Sequence, residues 1–446
     1  MLSLGMVLIS IILFIIAYKT YGTYLANQWG IDPSIPTPAH TREDGVDFVP
    51  AKPQVLLGHH FASIAGAGPI NGPIQAAVFG WVPVLLWIII GGIFFGGVHD
   101  YGSLTASMKN NGKSVGTIVE DYMGNTGKTL FSAFAWLTLV LVVAAFGSIV
   151  AQSFESTPVV ATASILFMVE AIIFGYFVYR KGANLGIATV IGVIVLFCCI
   201  YIAQFFPIQL SATTWTLILG IYAFIASTAP VWILLQPRDY LNSFLLYTMM
   251  IGAVVGIIIA RPEIQLESFA GFKIEAANGA SKFLFPTLFI TVACGAISGF
   301  HATQSPIISR CIETEKDGRK IFYGAMVAEG IIALIWASAG IAFYKGTGGL
   351  LAASGGNSST VYDMSIGLLG KVGGVLAMIG VIVCPITSGD TAFRSARLTI
   401  ADWFKIDQTK IPKRLMLAIP LLGIGYLISL IDYSVVWRYF SWSNQT

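Results

Sequence analysis

The chain has 446 residues, of which 56% are apolar and only 11% are charged, and its mean hydropathy is +0.79. Because a soluble chain carries roughly 25% charged residues, this composition excludes an ordinary soluble protein and indicates a polytopic membrane protein surrounded by the lipid bilayer. The formal net charge of +3 gives no sign of a nucleic-acid partner, and we predict none.

Apolar runs of about 20 residues mark membrane-spanning helices. Twelve such runs follow one another, and a thirteenth starts near Ser434 and is cut off at Thr446, so we expect the chain to continue. We predict a single polytopic domain over residues 1–446, an all-α membrane protein with about 13 transmembrane helices. The twelve predicted spans are 4–25, 57–81, 83–107, 129–152, 158–178, 184–206, 213–234, 239–260, 284–308, 321–344, 372–397 and 412–431.

The stretch 58–73, GHHFASIAGAGPINGP, lies in the second run, 57–81, and is rich in helix breakers. Proline lacks an amide donor and glycine weakens a helix, so one unbroken helix is excluded. Unpaired backbone in hydrocarbon costs several kcal/mol per group, so we expect a broken helix that lines a polar cavity or packs inside protein. We place the start of its second half at Gly72 and Pro73, where free amides would hold a substrate carboxylate.

The run 284–308 contains a second candidate break, CGAISGFHATQSP at 294–306. Its histidine, hydroxyl residues and proline resemble His60, Ser63 and Pro69 of the first run. The two segments start about 240 residues apart with six spans between them, so one is inverted relative to the other. Paired interrupted helices are typical of a transporter site, and we predict an inverted repeat of broken helices that forms a transport core.

A third candidate break is CPITSGDTAFRSAR at 384–397, within the run 372–397, where Pro385 and Gly389 are expected to loosen the helix. Asp390, Arg394 and Arg397 are spaced to share one helical face. Free hydroxyls and carbonyls beside a carboxylate suit Na⁺ or a proton, whereas the arginines suit an anionic group. The alternative is a structural ion pair near the cytoplasmic end.

Ionisable groups inside spans are costly and usually functional. His59, His60 and His301 lie in the first two candidate breaks, and if they meet they suit proton coupling or a metal, with simple packing as the alternative for each. Other intramembrane candidates are His99, Asp100, Glu170, Glu329 and Asp390, and Glu170, with no charged neighbour in sequence, is expected to have a partner or a neutral carboxyl. The predicted substrate-binding or coupling residues are His59, His60, Ser63, Gly66, Gly68, Asn71, His301, Thr303, Ser305, Asp390 and Arg394.

Lysines and arginines are distributed unevenly over the predicted loops. Most, Arg238 among them, lie in loops of one side, and the other side holds Arg261, Lys273, Lys282, Lys345 and Lys371. By the positive-inside rule the first side is cytoplasmic and the N-terminus lies outside. The sequence also indicates a role for two loops. The loop 27–56 packs under the bundle, and the Gly/Ser-rich outer loop 345–371 is either a mobile lid or a passive tether.

Five unusual blocks are spread along the chain from residue 58 to its end: GHHFASIAGAGPINGP at 58–73, HDYGSLTASMKNNGKSVGTI at 99–118, VWILLQPRDYLNS at 231–243, FPTLFITVACGAISGFHATQSP at 285–306 and WRYFSWSNQT at 437–446. They resemble the carbon starvation protein A family of bacterial inner-membrane transporters, whose larger members carry additional spans. The resemblance implies uptake of peptides or of small carboxylates such as pyruvate. It also implies the fold of the amino acid–polyamine–organocation superfamily, an inverted repeat of broken-helix bundles. By the same resemblance a cation site is formed by the Ala65–Gly68 carbonyls, Thr387, Ser388 and Asp390.

The leading interpretation is a secondary active transporter that imports peptides or small carboxylates by alternating access, driven by H⁺ or Na⁺ and without a cofactor. The alternatives are a channel and a starvation sensor without flux. A sensor needs a cytoplasmic output surface, and the largest predicted cytoplasmic loop has only about thirty residues. No catalytic motif, GxGxxG sequence or Walker loop is found, so an enzyme is not predicted.

Overall fold

The structure is a computed structural model that describes residues 3–275, 281–352, 364, 367, 370 and 385–446. In these residues the chain is predominantly helical, with one small hairpin, β1 (Lys273–Glu275) and β2 (Ser281–Phe283). The helices are α1 (Ser3–Lys19), α2 (Tyr21–Gln28), α3 (Pro38–Thr41), α4 (Pro53–Ile64), α5 (Gly68–Ala76), α6 (Trp81–Ile90), α7 (Gly97–Lys109), α8 (Val115–Ser156), α9 (Pro158–Gly175), α10 (Leu185–Ala203), α11 (Ala212–Thr228), α12 (Leu235–Ala260), α13 (Leu284–Thr291), α14 (Gly299–Ser309), α15 (Gly324–Phe343), α16 (Gly346–Ala352), α17 (385–403), α18 (Ile411–Ser429) and α19 (Tyr433–Gln445).

Eight helical segments of the described chain are long and apolar enough to cross a membrane. They are Ser3–Gln28, Trp81–Lys109, Val115–Ser156, Pro158–Arg180, Leu185–Ala203, Leu235–Ala260, Glu315–Phe343 and Ile411–Ser429, and each coincides with a predicted span. The shorter α11 covers most of another, 213–234. Apolar side chains are exposed on the outer helices, such as Ile12 on α1 and Val190 on α10, which matches contact with lipid. The chain is thus a multi-pass membrane protein, while the number of thirteen crossings stays a prediction.

The first run is interrupted between α4 and α5, where residues 65–67 leave the helical conformation. The second half starts at Gly68, with Pro69 in its first turn, and Pro73 lies inside α5. The start predicted at Gly72 and Pro73 is therefore wrong by one turn. Both Pro69 and Pro73 are compatible with a first helical turn, where the missing amide of proline removes no hydrogen bond. The helix begins at the earlier of the two.

The second run is interrupted between α13 and α14, over residues 292–298. The two interrupted helices touch at their breaks. A Cβ atom on Gly68 would fall on the Cys294 side chain, and one on Gly72 would fall on the Thr291 carbonyl oxygen. Glycine at these positions therefore lets the backbone of α5 approach the end of α13 and the break that follows it.

Side chains of the last helix satisfy the second break. Asn444 Oδ1 accepts hydrogen bonds from the Phe300 amide at 2.9 Å and from Ser298 Oγ at 3.0 Å. Gln445 Nε2 donates to the Ile297 carbonyl at 2.8 Å. Helix α19, which begins where the thirteenth span was predicted, therefore caps α14, because its amide side chains replace the partners that the break removes.

The third candidate break differs from the prediction. Residues 385–403 form the continuous helix α17, so Gly389 does not interrupt it, and residues 371–384 lie outside the described part of the chain. Pro385 is the first described residue of α17, and the part of the predicted break that precedes it falls outside the described residues.

Three loop predictions have different outcomes. The 27–56 loop does pack against the bundle, since Thr37 Oγ1 donates to the Ile312 carbonyl at 2.5 Å and Ala51 pairs with Ile312 as a parallel bridge. The loop 261–283, predicted to face outside, contains the antiparallel pair β1 and β2, and its side of the membrane stays a prediction. The loop 345–371, predicted to be a lid or a tether, begins with α16, and most of the rest lies outside the described residues.

Replacing Gly72 by alanine tests the close approach of α5 and α13. The added methyl group meets a backbone oxygen that cannot rotate away, so we expect a loss of about 1–3 kcal/mol, the usual cost of overpacking. Gly423→Ala on exposed α18, where nothing lies within 4 Å of the added atom, is the matched control. The measurement is the fraction of purified protein that stays monodisperse after heating. Equal heat resistance of the two variants would contradict the described contact.

Candidate functional site

The helix before the first break contributes buried polar side chains that meet α12 and α17. His59 Nδ1 lies 2.7 Å from Asp239 Oδ2, and both side chains are essentially unexposed. Ser63 Oγ lies 3.3 Å from the same carboxylate oxygen and 3.2 Å from Thr391 Oγ1 on α17. Two predicted residues, His59 and Ser63, are therefore brought together with a carboxylate that the sequence analysis did not single out.

Arg238 is the buried cation of this group. Its Nε donates to Asp239 Oδ1 at 2.9 Å, and its Nη1 contacts Asp390 Oδ2 and the Tyr222 hydroxyl. Arg238 was assigned to a cytoplasmic loop, and this assignment is wrong, because the residue is 1% exposed and lies inside α12. The adjacent Arg–Asp pair just inside an apolar run was the available signal, because opposite charges that must enter a membrane do so as pairs.

We call Arg238, Asp239 and Asp390 the arginine–carboxylate group. One guanidinium and two carboxylates carry a net charge of −1 when all are ionised, and all three residues are at least 97% buried. Removing ions from water is costly unless their charge is compensated. The group therefore favours one further positive charge nearby.

Hydroxyl groups of α17 satisfy the end of α4. Thr387 Oγ1 donates to the Ala62 carbonyl at 2.7 Å, and Ser388 Oγ donates to the Ser63 carbonyl at 2.6 Å. These hydroxyls therefore bond to the carbonyls of Ala62 and Ser63 in the last turn of α4, while the cation site predicted from Ala65–Gly68, Thr387 and Ser388 stays a prediction. Since the last carbonyls of a helix have no intrahelical partner, they are the ones available.

A second buried polar cluster, the histidine–carboxylate group, consists of Asp100, His301 and Glu329 from α7, α14 and α15. His301 Nδ1 lies 2.8 Å from Asp100 Oδ2, and His301 Nε2 lies 3.4 Å from Glu329 Oε2. His99 Nδ1 lies 3.0 Å from Asp100 Oδ1. The His60 ring stacks on Phe322 at 3.7 Å, and neither of its nitrogens has a hydrogen-bond partner among the described residues. The sequence singled out each of these ionisable residues but not their grouping.

The remaining predicted residues are placed as follows. Gly66 packs against Ser388 and Phe146, and the Asn71 side chain is buried with Oδ1 unpaired within the described chain. Thr303 Oγ1 bonds to the Phe300 carbonyl of its own helix at 2.6 Å, and Ser305 Oγ has no described partner. Thr303 is therefore engaged within α14 rather than with the breaks.

Arg394 lies one turn beyond Asp390 and pairs elsewhere. Its Nη2 donates to Asp47 Oδ1 at 2.6 Å, and its Nη1 donates to the Ala229 carbonyl at 2.9 Å. Arg397 Nη2 lies 3.7 Å from the same carboxylate oxygen. Burial alone would raise the pKa of Asp47, but the two guanidiniums outweigh it and hold that pKa well below its ordinary range. The described partner of Arg394 is thus Asp47 rather than Asp390, and its predicted role in substrate binding stays a prediction.

The three histidines do not form one site. His59 pairs with Asp239 and His301 with Asp100, while His60 stacks on an aromatic ring. Among the described residues no group of three or more His, Cys, Asp or Glu has an arrangement that would hold a metal ion.

Comparison with known proteins identifies the family. The family model described as carbon starvation protein CstA matches residues 2–345. The chain belongs to this family. It is 36% identical over 349 residues to the peptide transporter CstA of Bacillus subtilis, covering 76% of this chain and 58% of that relative. It is 34% identical over 349 residues to the pyruvate/proton symporter BtsT of Escherichia coli, covering 75% of this chain and 48% of that relative.

Two facts limit the transfer of activity from these CstA-family relatives. The chain spans only about half the length of the curated relatives it matches. A solved structure, MhsT in complex with L-phenylalanine, matches with a TM-score of 0.50 over 85% of this chain and 80% of that one, at 13% identity. At this identity the likeness concerns the fold alone.

Asp47→Asn tests the ion pair with Arg394. The variant leaves Arg394 buried without a carboxylate, and breaking such a pair costs about 3–5 kcal/mol. Since folding depresses the pKa of Asp47, the stabilisation is fully present above its ordinary value of about 4 and is lost as the pH falls below it. The heat resistance of wild type should exceed that of the variant by a constant margin from neutral pH to about pH 5, and the margin should shrink below about pH 4.

The exposed neighbour Glu43 provides the matched control for this measurement, because Glu43→Gln removes a charge from the same loop but no buried pair. That variant should match wild type at every pH. A margin for Asp47→Asn that is absent, or that does not change in acid, would contradict the described pair.

Proposed function

We propose that this chain is part of a secondary active transporter that imports a peptide or a small carboxylate such as pyruvate, coupled to H⁺ or Na⁺. The observation that carries the proposal is the meeting of the two interrupted helices, α4/α5 and α13/α14, beside buried ionisable groups. Breaks within membrane spans are tolerated where they line a binding cavity, and paired breaks are a feature of secondary transporters. The names of the CstA-family relatives support the same class of activity.

The coupling cation is proposed to bind between α4 and α17. The carbonyls of Ala62 and Ser63 and the hydroxyls of Thr387 and Ser388 are oxygen ligands of the kind that Na⁺ prefers, and they lie on the same two helices as Ser63 and Asp390. The net charge of −1 on the arginine–carboxylate group favours a cation nearby. A cation bound here would hold α4 against α17, so its release would free the helix that precedes the first break.

The substrate carboxylate is proposed to bind where α5 begins. The first amides of a helix lack intrahelical partners and carry partial positive charge, which favours an anion. The buried Asn71 side chain, whose Oδ1 has no partner among the described residues, supplies a polar contact one turn into α5. Both a peptide and pyruvate carry the carboxylate that this arrangement suits.

The proposal includes the finer architecture predicted from the sequence. We propose that the chain crosses the membrane about thirteen times and contains an inverted repeat like that of the amino acid–polyamine–organocation superfamily. We further propose that it lies in a bacterial inner membrane with its N-terminus outside. No catalytic step or cofactor is needed for alternating access. The similarity of the helix arrangement to that of MhsT supports a bundle of this kind.

Uptake by Thr387→Val tests the proposed cation site. Valine keeps the side-chain shape but removes the hydroxyl that reaches Ala62, so we expect uptake of labelled pyruvate or dipeptide into proteoliposomes to need a higher activating cation concentration. The purified protein would be reconstituted, and initial rates measured against external Na⁺ and against an imposed pH gradient. Wild type should accumulate one substrate above its external level under one of the two gradients.

Thr399→Val is the matched control, since the Thr399 hydroxyl bonds to Ser395 of its own helix at 2.8 Å and does not reach α4. Its cation dependence should equal that of wild type. Identical cation dependence of both variants would remove Thr387 from the site. Equilibration of substrate by wild type without accumulation would instead favour a channel.

A further inference from the structure

The histidine–carboxylate group is enclosed differently from the arginine–carboxylate group. Asp100, His301 and Glu329 are each 0% exposed, and within the described residues neither carboxylate forms an ion pair with a lysine or an arginine. The imidazole of His301 stands between the two carboxylates, with one ring nitrogen facing each. Neither oxygen of Glu329 makes a hydrogen bond in the described structure.

We infer that Glu329, with His301 and Asp100, is the proton-binding site of this transporter, separate from the oxygen ligands between α4 and α17. The inference rests on the net charge of these three residues in each protonation state. With Asp100 ionised and His301 protonated on both ring nitrogens, the group is neutral only while Glu329 holds one proton. Release of that proton leaves one uncompensated negative charge in a fully buried place, which is costly unless the structure rearranges.

Apart from His301, no basic side chain among the described residues forms an ion pair with Glu329 that would remove this cost. From α14 it faces His301, from α7 Asp100, and from the second break the Cys294 thiol and the backbone of Gly295. His60 on α4 lies within electrostatic reach of Asp100 and His301, and His59 is the next charge-bearing neighbour. The charge of the group therefore depends on its own protons and on those of nearby histidines.

The position of Glu329 explains how a proton would act on transport. Gly295, which Glu329 faces, lies against Pro69 at the start of α5, so the carboxyl borders the place where both breaks meet. A charge that appears or disappears there changes the field at the first turns of α5 and α14. His99, whose side chain is 29% exposed, continues the chain of contacts from Asp100 toward the surface of the bundle.

Glu329→Gln is the direct test, and it rests on the proposed function because coupling presupposes transport. Glutamine keeps the shape but holds no exchangeable carboxyl proton. We expect the variant, reconstituted in proteoliposomes, to lose accumulation driven by a pH gradient, with the internal-to-external ratio falling to unity. Exchange of labelled for unlabelled substrate should persist, because it requires no net proton release. Glu329→Asp should retain part of the gradient-driven accumulation, whereas a purely structural role would make both variants equally defective.

Glu170→Gln is the matched control. Glu170 is also a buried intramembrane carboxyl whose two oxygens have no described partner, but it lies in an apolar groove between α9 and α10 of about 630 Å³. This variant should accumulate and exchange substrate like wild type. Normal gradient-driven accumulation by Glu329→Gln would overturn the assignment.

An infrared measurement separates this inference from the proposed function. The absorption of protonated carboxyl groups in the purified protein should change on pH titration, and the change should be smaller in Glu329→Gln than in wild type by the signal of one carboxyl. This result requires no substrate. If wild type moves neither pyruvate nor dipeptide while the infrared difference is present, the proposed function fails and the proton site stands. An unchanged infrared titration in Glu329→Gln would overturn the proton site.

Discussion

The constraint on which the rest of the structure depends is the need to satisfy backbone groups freed by two helix breaks inside a membrane protein. Hydrocarbon offers no hydrogen bonds, so the partners must come from the protein. Different helices supply hydrogen-bond partners to the two breaks. The hydroxyls of Thr387 and Ser388 on α17 bond to carbonyls at the first break, and Asn444 and Gln445 on α19 bond to backbone groups at the second. Helices late in the chain therefore hold the core that earlier helices form.

Charge is distributed around this core in three separate groups. The arginine–carboxylate group lies beside the end of α4 and favours an additional cation. The histidine–carboxylate group lies beside the second break and favours an additional proton. Asp47 and Arg394 form a third group, and this pair connects the loop before α4 to the middle of α17. In our proposal the first group serves a cation and the second a proton, whereas the third holds the loop in place.

Local patterns predicted the first two breaks, because glycine and proline act on their own segment. Pro69 and Gly68 sit where the first break occurs, and the apolar runs coincide with the helices that the structure describes. The misplaced features depend on contacts distant in sequence. Arg238 is buried because Asp239, Asp390 and Tyr222 surround it, and two of these lie on other helices. Likewise, Asp100, His301 and Glu329 lie together only because α7, α14 and α15 are neighbours. Composition and spacing do not show which helices are neighbours.

The most direct test of the central claim, that the breaks enclose a site open to one side at a time, is the accessibility of Ser63→Cys in a background without the native cysteines. A membrane-impermeant thiol reagent would be applied from either face of oriented proteoliposomes, with and without cation and substrate. Alternating access predicts labelling from one face under one condition and from the opposite face under another. Simultaneous labelling from both faces under a single condition would indicate an open pore and contradict the account.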